Sequence, residues 1–407
     1  MDNLIDSLPR WVEVDLDAII HNLNEVKKVV TPGVKIMAVV KADAYGHGAP
    51  RIAKAVLDNG ADMLAVTFVE EGVSLRKEGI TAPILVFAPI LPDQAAVVAA
   101  NNLTPSVSSA DVVDALAREA TRTGIRLPVH LKVETGMGRT GLFPDEVLDL
   151  ARVIVAQPAL ELEGIYTHFA SAACGDREFT EQQFARLKRA IHDLDQAGIK
   201  VPLPHACNSA ATMLYLHMHL KMVRVGTVLY GQNPGGGASG NLQLEDTWKL
   251  KTRVVHVKKY PAGTSLGYGR TYRTRKETWV AVLPIGFVDG FSMEPHLRPT
   301  GFLDLVKILV KIVAGYLGVR VGPVDVEING RTFPVVGKIA MQLSMVDLGD
   351  QGADVFSGTV VTVPARRTGI NPLVPKLYIA AGRPVAVRAL RSEEMELGIG
   401  ERRRNLE

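Results

Sequence analysis

A lysine directly after an uninterrupted apolar run is the first residue of this sequence placed for chemistry. Ile36, Met37, Ala38, Val39 and Val40 lead into Lys41, and Ala42-Asp43-Ala44-Tyr45-Gly46-His47-Gly48 completes the stretch. The apolar run, bounded by a turn, reads as a strand covered on both faces. Two glycines let the backbone bend before a helix begins near Ala49 or Pro50. An ammonium at the end of a buried strand is costly to desolvate, so burial favours the neutral amine that a Schiff-base lysine needs. The same lysine could instead lay its stem on apolar surface and keep its head in water. The run alone leaves both readings open.

Four more stretches put polar groups where apolar runs end. Residues 130–141 hold Lys132 and Arg139, and residues 166–169 hold His168. Residues 207–212 hold Asn208 and Ser209, and residues 223–231 hold Arg224, Gly226 and Thr227. Asn208-Ser209 precedes a helical stretch with Ser209 as its N-cap. Helix N-termini bind phosphate through unpaired N–H groups and the helix dipole, and simple capping is the alternative. Gly226 would let backbone approach a ligand closely. His217-Met218-His219 has no further clustered ligands, so no metal is expected.

These groups need a scaffold. Apolar strands are expected near 36–40, 63–66, 83–87, 103–107, 128–133, 161–166, 203–207 and 222–225, with helical stretches between them. Strand–helix alternation at about this count predicts an α/β fold with an N-terminal (β/α)8 TIM-like barrel. Such barrels do their chemistry at the C-terminal ends of the strands, where the candidate residues fall. Before the barrel, residues 11–16 alternate as a strand and Asp17 is expected to cap a helix through Val30.

Residues 234–240 are Gly-rich and read as a linker. Beyond them, β-branched runs at 252–260 and 278–284 predict a mostly β C-terminal domain. The expected division is 12–240 for the barrel and 241–407, joined by 1–11, for the β domain. Within the latter, Phe302, Leu303, Leu305, Val306, Ile308, Leu309, Ile312 and Val313 recur at helical spacing. They predict an amphipathic helical insertion over 302–321 that packs on its own domain or on a partner subunit. Its charges and the early Gly315 and Gly318 make it unfit to span a membrane.

Composition sets outer bounds. A chain of 407 residues with 47% hydrophobic and 22% charged residues suits a soluble protein of two domains. A net charge of +3 offers no nucleic-acid surface. Cys174 and Cys207 make no disulfide framework, and the N-terminus lacks a basic region followed by an apolar core. The expected setting is cytoplasmic, away from nucleic acid and membrane.

The stretch over 38–48, Ala-Val-Val-Lys-Ala-Asp-Ala-Tyr-Gly-His-Gly, resembles the pyridoxal-phosphate lysine motif of alanine racemases. The resemblance extends over nearly the whole chain and is tightest in the barrel. It implies that Lys41 carries pyridoxal 5'-phosphate, that Tyr45, Ser209, Gly226 and Thr227 hold the phosphate, and that Asn208 beside Ser209 also belongs to the cofactor site. It sets Arg224 against the pyridine nitrogen, where a guanidinium with no acceptor keeps that nitrogen unprotonated. The Ser265 to Tyr272 segment resembles the one that supplies a second base, so Tyr268 would face Lys41 across the substrate α-carbon. A phenol of pKa ~10 is a poor base alone. In the family a tyrosine–histidine–arginine network, here through His168 and Arg224, supplies cationic neighbours. That tyrosine reaches the other subunit's barrel mouth, which implies an obligate homodimer with shared sites.

The resemblance further implies that Arg139 and the Met341 backbone N–H bind the carboxylate of a small amino-acid substrate, and that Lys132 is a carbamylation site. The implied function is the interconversion of L-alanine and D-alanine, supplying D-alanine for peptidoglycan. Three features depart from the family pattern: Phe287 stands where a tyrosine is usual, Gln342 where an aspartate is usual, and residues 368–373 lack a phosphate-contacting tyrosine. Phe287 and Gln342 leave another or broader amino-acid range as an alternative. A fold-related pyridoxal-phosphate decarboxylase is a further one, disfavoured because it wants a carboxylate in place of Arg224.

Overall fold

Asp15 ends the first strand and starts the first helix. Strand β1 (Arg10–Asp15) runs into a helix over Leu16–Val29, and the Asp15 side chain accepts a hydrogen bond from the Ala18 N–H at 3.0 Å. The cap is therefore Asp15 and not the expected Asp17. A cap needs non-helical backbone, which Asp15 has (φ −87°, ψ 108°), whereas Asp17 already lies in the first turn, where a carboxylate favours the helix dipole. Ile19, Leu23 and Val26 recur at helical spacing and are fully buried, each contributing about 1.5–3 kcal/mol through burial.

The computed structural model describes residues 7–235, 242–291, 302–316 and 325–389. Eight parallel strands close a barrel: β2 (Lys35–Val39), β3 (Met63–Val66), β4 (Ile84–Val86), β5 (Thr104–Val107), β6 (Leu127–Lys132), β7 (Leu160–Tyr166), β8 (Leu203–His205) and β9 (Met222–Val225). β9 pairs back onto β2, with Met37 opposite Arg224. The barrel interior is divided by chemistry. Met37, Val39, Met63, Ala65 and Leu85 form an apolar cluster with Tyr166 and Met222. Strands β6 to β9 instead carry buried His130, Lys132, His205 and Arg224. Apolar packing thus supports one side of the floor while polar groups occupy the other.

The second domain is mostly β, as the runs at 252–260 and 278–284 predict, and residues 236–240 of the Gly-rich stretch lie outside the described ones. A ten-stranded sheet places β1 between Trp248–Arg253, antiparallel, and Lys376–Ala380, parallel. A short ribbon of Ser265–Leu266 against Tyr272–Arg273 projects Tyr268 from its turn. The expected helix is present over Phe302–Tyr316, and residues 317–321 lie outside the described ones. Among the described residues most of its apolar side chains are left exposed, with Phe302 and Leu303 at 78% and 74%. Helical spacing reports which residues share a face and not what covers that face.

Candidate active site

The lysine-bearing turn is strained. Ala42, Asp43, Ala44 and Tyr45 all adopt left-handed backbone, with φ between 51° and 55°, at roughly 1–2 kcal/mol per residue. The sequence predicts a bend at Gly46 and Gly48, and the structure begins it four residues earlier. Surrounding elements impose it. Glu71 accepts hydrogen bonds from the N–H groups of Ala42 (2.6 Å), Thr67 (2.7 Å) and Phe68 (3.0 Å). Asp43 accepts from the Ala49 N–H at 2.8 Å and from Arg388 Nη1 at 2.6 Å. Strain held by many partners is characteristic of sites that must be preorganised.

A cavity of about 530 Å³ opens at the C-terminal ends of the strands. Its lining includes Lys41, Tyr45, Lys132, Arg139, His168, Asn208, Ser209, Arg224, Gly226 and Thr227. All the barrel residues singled out in the sequence therefore meet in one place. Four are cations, Lys41, Lys132, Arg139 and Arg224, and no carboxylate is among the lining residues. Asn208, not Ser209, caps the helix over Ser209–Leu214, accepting from the Ala211 N–H at 3.0 Å. Both residue types can cap, and the extended backbone falls on Asn208 (φ −86°, ψ −176°). Ser209 Oγ instead accepts from the Gly226 N–H at 3.0 Å, tying β8 and β9 together at the rim.

Clustered cations shape one another. Burial, then the Arg139 guanidinium, pulls the Lys41 ammonium below its ordinary value, with Glu71 opposing. Burial and Arg224 bring Lys132 down to about 7, against Glu134. His168 lies well below the usual imidazole range, through burial and then Arg224. Burial lifts the Tyr45 hydroxyl to about 12, so it stays a phenol that can donate. Arg224 is fixed by its Nη2 donating to the carbonyls of Thr167 (2.8 Å) and Ala206 (2.9 Å).

Two expected site residues are elsewhere in this chain. Tyr268 is 73% exposed and Met341 is 61% exposed, both on the β domain and outside the cavity lining. They share a neighbourhood there. A Cβ on Gly267 would come within 3.3 Å of the Lys338 nitrogen, and Phe287, beside Ala340 and Met341, donates its N–H to the Ala340 carbonyl at 3.2 Å.

Family models for the alanine racemase N-terminal and C-terminal domains match residues 14–234 and 247–372. An alanine racemase of Methanococcus maripaludis is 38% identical over 359 residues, covering 88% of this chain and 89% of the relative. The solved alanine racemase of Clostridium difficile 630 superposes with a TM-score of 0.84 at 30% identity, covering 94% of this chain and 99% of that one. The Bacillus anthracis enzyme, solved with bound L-Ala-P, gives 0.80 at 31% identity, with coverage of 94% and 98%. The chain belongs to the alanine racemase family. It is an amino-acid racemase.

Several residues of this chain escape a reading of its sequence. Tyr166 lies flat on His205, with ring centroids 4.7 Å apart and planes 4° from parallel. Lys132 Nζ and Arg224 Cζ lie 5.1 Å and 5.3 Å from the centre of its ring. Its hydroxyl meets Ser106 Oγ at 2.7 Å. The ring is a buried π-face with two basic side chains beside it. Only its position at a strand end hinted at this. Glu71, which pins the lysine turn, gave no signal beyond being acidic early in a helix. His217 and His219 do not converge: His217 meets Glu181 at 3.1 Å, and His219 bonds Thr31 and the Thr212 carbonyl. Among the described residues no group of three metal-ligating side chains forms, and no helix is long and apolar enough to cross a membrane.

Proposed function

We propose that the chain interconverts L-alanine and D-alanine with pyridoxal 5'-phosphate, as a homodimer whose sites are completed across the subunit interface. The observation that carries this reading is the cavity itself: three basic side chains around Lys41, no lining carboxylate, and a glycine opening at Tyr45. A Cβ on Gly226 would stand 2.5 Å from the Tyr45 hydroxyl, so only a glycine leaves this cradle open. Tyr45 Oη, the Ser209 hydroxyl and the backbone at Gly226 and Thr227 suit a phosphate, with Asn208 holding the short helix beside them. Arg224 suits the pyridine nitrogen, and the depressed Lys41 amine suits a carbonyl carbon.

When bound, pyridoxal phosphate supplies the electron sink that makes a substrate α-proton acidic. The chain's own residues do the rest. Arg139 presents a guanidinium fork to the substrate carboxylate, and the Met341 backbone N–H of the partner subunit adds a second donor. Lys41 takes or returns the α-proton on one face, and Tyr268 of the partner subunit does so on the other. The exposure of Tyr268 and Met341, together on the β domain, is what a half-site offered to another copy requires. Arg224 stays a cation against the pyridine nitrogen. A second cation there is repelled, which weakens the sink and favours a proton swap over decarboxylation. His168, beside Arg224 Nη2 at 3.4 Å, links that cation toward the catalytic phenol. A neutral Lys132 amine can add to the carbon of carbon dioxide with loss of one N–H proton to solvent, and the carbamate anion formed would hold Arg139. In the cell this activity would supply D-alanine for peptidoglycan from the cytoplasm.

The test is incubation of the protein and cofactor with L-alanine in deuterated water, following chirality and α-deuterium, with L-serine and L-lysine alongside. D-alanine deuterated at Cα is the expected product. Turnover confined to L-serine or L-lysine would move the substrate assignment, a result that Phe287 makes worth seeking. Absence of both exchange and inversion with all three amino acids would overturn the reading.

A further inference from the structure

Arg224 is a buried cation at 3% exposure. Its bonds run to two carbonyls and two imidazoles, and among the described residues it makes no ion pair with a carboxylate. A buried charge needs compensation. It comes from a line of hydrogen bonds through the barrel interior. Arg224 Nη1 meets His205 Nδ1 at 2.9 Å, His205 Nε2 meets His130 Nδ1 at 2.9 Å, and His130 Nε2 meets Glu163 Oε2 at 3.0 Å.

The two ends of this line fix every proton within it. A guanidinium only donates and a carboxylate only accepts. His205 Nδ1 must therefore be a lone pair, which puts its proton on Nε2. That N–H donates to a lone pair on His130 Nδ1, so His130 is also protonated on Nε2 and donates to Glu163. Both rings are neutral and point the same way. Burial and Arg224 keep the His205 imidazole well below its usual range, and the His130 N–H holds the Glu163 carboxyl low.

Local backbone is arranged for this line. Pairing of β6 with β7 slips between Val129 and His130: Val129 faces Leu162, but His130 faces Gly164, which leaves Glu163 as the extra residue. Bulges re-aim side chains. Leu162 and Ile165, three apart, consequently share the same hydrophobic core, which strict alternation forbids. Gly164 leaves room for the imidazole, since a Cβ there would stand 2.5 Å from His130 Nδ1.

We infer that Glu163, His130 and His205 are positioning residues that supply the counter-charge of Arg224 through two oriented imidazoles and fix its guanidinium toward the cavity. This rests on the role proposed above for Arg224. The two can fail separately, because the first measurement needs no cofactor. In apoprotein labelled with 15N-histidine, with His130→Asn and His205→Asn for assignment, both rings are expected as neutral Nε2–H tautomers near pH ~7. A proton on Nδ1 of His205 would overturn the inference.

Glu163→Ala is expected to release the His130 tautomer and to speed solvent exchange of the Arg224 Nη protons by about tenfold, with Glu163→Asp restoring both. An unchanged tautomer and unchanged exchange would overturn it. Should Glu163→Ala fail to fold, Glu163→Gln decides: the acceptor oxygen remains without its charge, so the tautomers stay while exchange accelerates, and unaltered exchange counts against the relay. With cofactor bound, kcat falls about tenfold in Glu163→Gln and KM stays within about twofold. A chain that keeps both tautomers yet binds no pyridoxal phosphate would defeat the role of Arg224 and leave the relay standing.

Discussion

Gly226 and the Tyr45 hydroxyl approach so closely that a single methyl group would fill the space between them: a Cβ at 226 would lie 2.5 Å from the oxygen. This approach brings the end of β9 against the lysine turn, and it leaves the Tyr45 phenol and the Ser209 hydroxyl, which already accepts from the Gly226 N–H, free to donate to one ligand group. Gly226→Ala is expected to weaken binding of pyridoxal phosphate by at least about tenfold, roughly 1.4 kcal/mol. Binding of pyridoxal without its phosphate should change much less. Absorbance titrations of both aldehydes check this, and equal losses would separate Gly226 from the phosphate.

Tyr268 lies exposed at the tip of a ribbon, so Tyr268→Phe removes a hydroxyl from a side chain that its own subunit barely packs. Unfolding free energy should move by no more than about 0.5 kcal/mol. Racemisation should fall by about 10²–10⁴-fold, the usual contribution of a positioned acid–base group. Deuterium exchange should survive for one enantiomer, served by Lys41, and be lost for the other. Equal loss for both enantiomers would argue against a two-base division.

Lys132 has its ammonium drawn down to about 7 by burial and Arg224. A lysine depressed on folding is protonated in the unfolded chain between about 10.4 and about 7 but not in the folded one. In that window the unfolded state holds more protons, so stability at this residue declines as the pH falls. Below about 7 both states are protonated and the contribution becomes constant. Denaturant unfolding of the apoprotein across this range, beside Lys132→Met, isolates the slope. A carbamate on Lys132 would remove the titration, so adding bicarbonate should flatten the wild-type curve alone.

The lysine turn depends on residues distant in the chain. Gly48 has φ +94°, and a Cβ there would lie 1.9 Å from the Tyr378 hydroxyl. Gly48→Ala combines backbone strain with a collision and should destabilise by about 1–3 kcal/mol or more. Urea midpoints give the value. A change within about 0.5 kcal/mol would mean that the turn relaxes away from the β domain.

The barrel was legible because parallel strands covered on both faces leave short, mainly apolar runs at regular intervals, and all eight strands fall at or within a residue or two of those runs even where β6, β8 and β9 interrupt them with His130, Lys132, His205 and Arg224. The expected residues at their ends share one cavity for the same reason. Handedness at residues 42–45 was not legible. No glycine marks it, and one of its restraints, Arg388, lies 345 residues from Asp43. Capping by Asp15 and Asn208 turned on backbone angles that a string of letters does not carry. The relay below Arg224 is hidden more deeply, since an extra residue in β7 breaks the alternation by which side chains are assigned to a face.

Strand β1 sits inside the sheet of the second domain, although it is the first element of the chain. Its antiparallel neighbour begins at Trp248 and its parallel neighbour at Lys376. During synthesis at ~5–20 residues per second, Trp11, Val12 and Val14 therefore wait about 10–50 s for the first partner to leave the ribosome, and longer for the second. For most of that interval the barrel is itself unfinished, because its last strand ends at Val225, and a short apolar segment with open hydrogen-bonding edges waits beside it. The nascent chain thus carries a built-in need for shielding, and a chain that stopped short of Trp248 would lack both neighbours of that strand in the sheet.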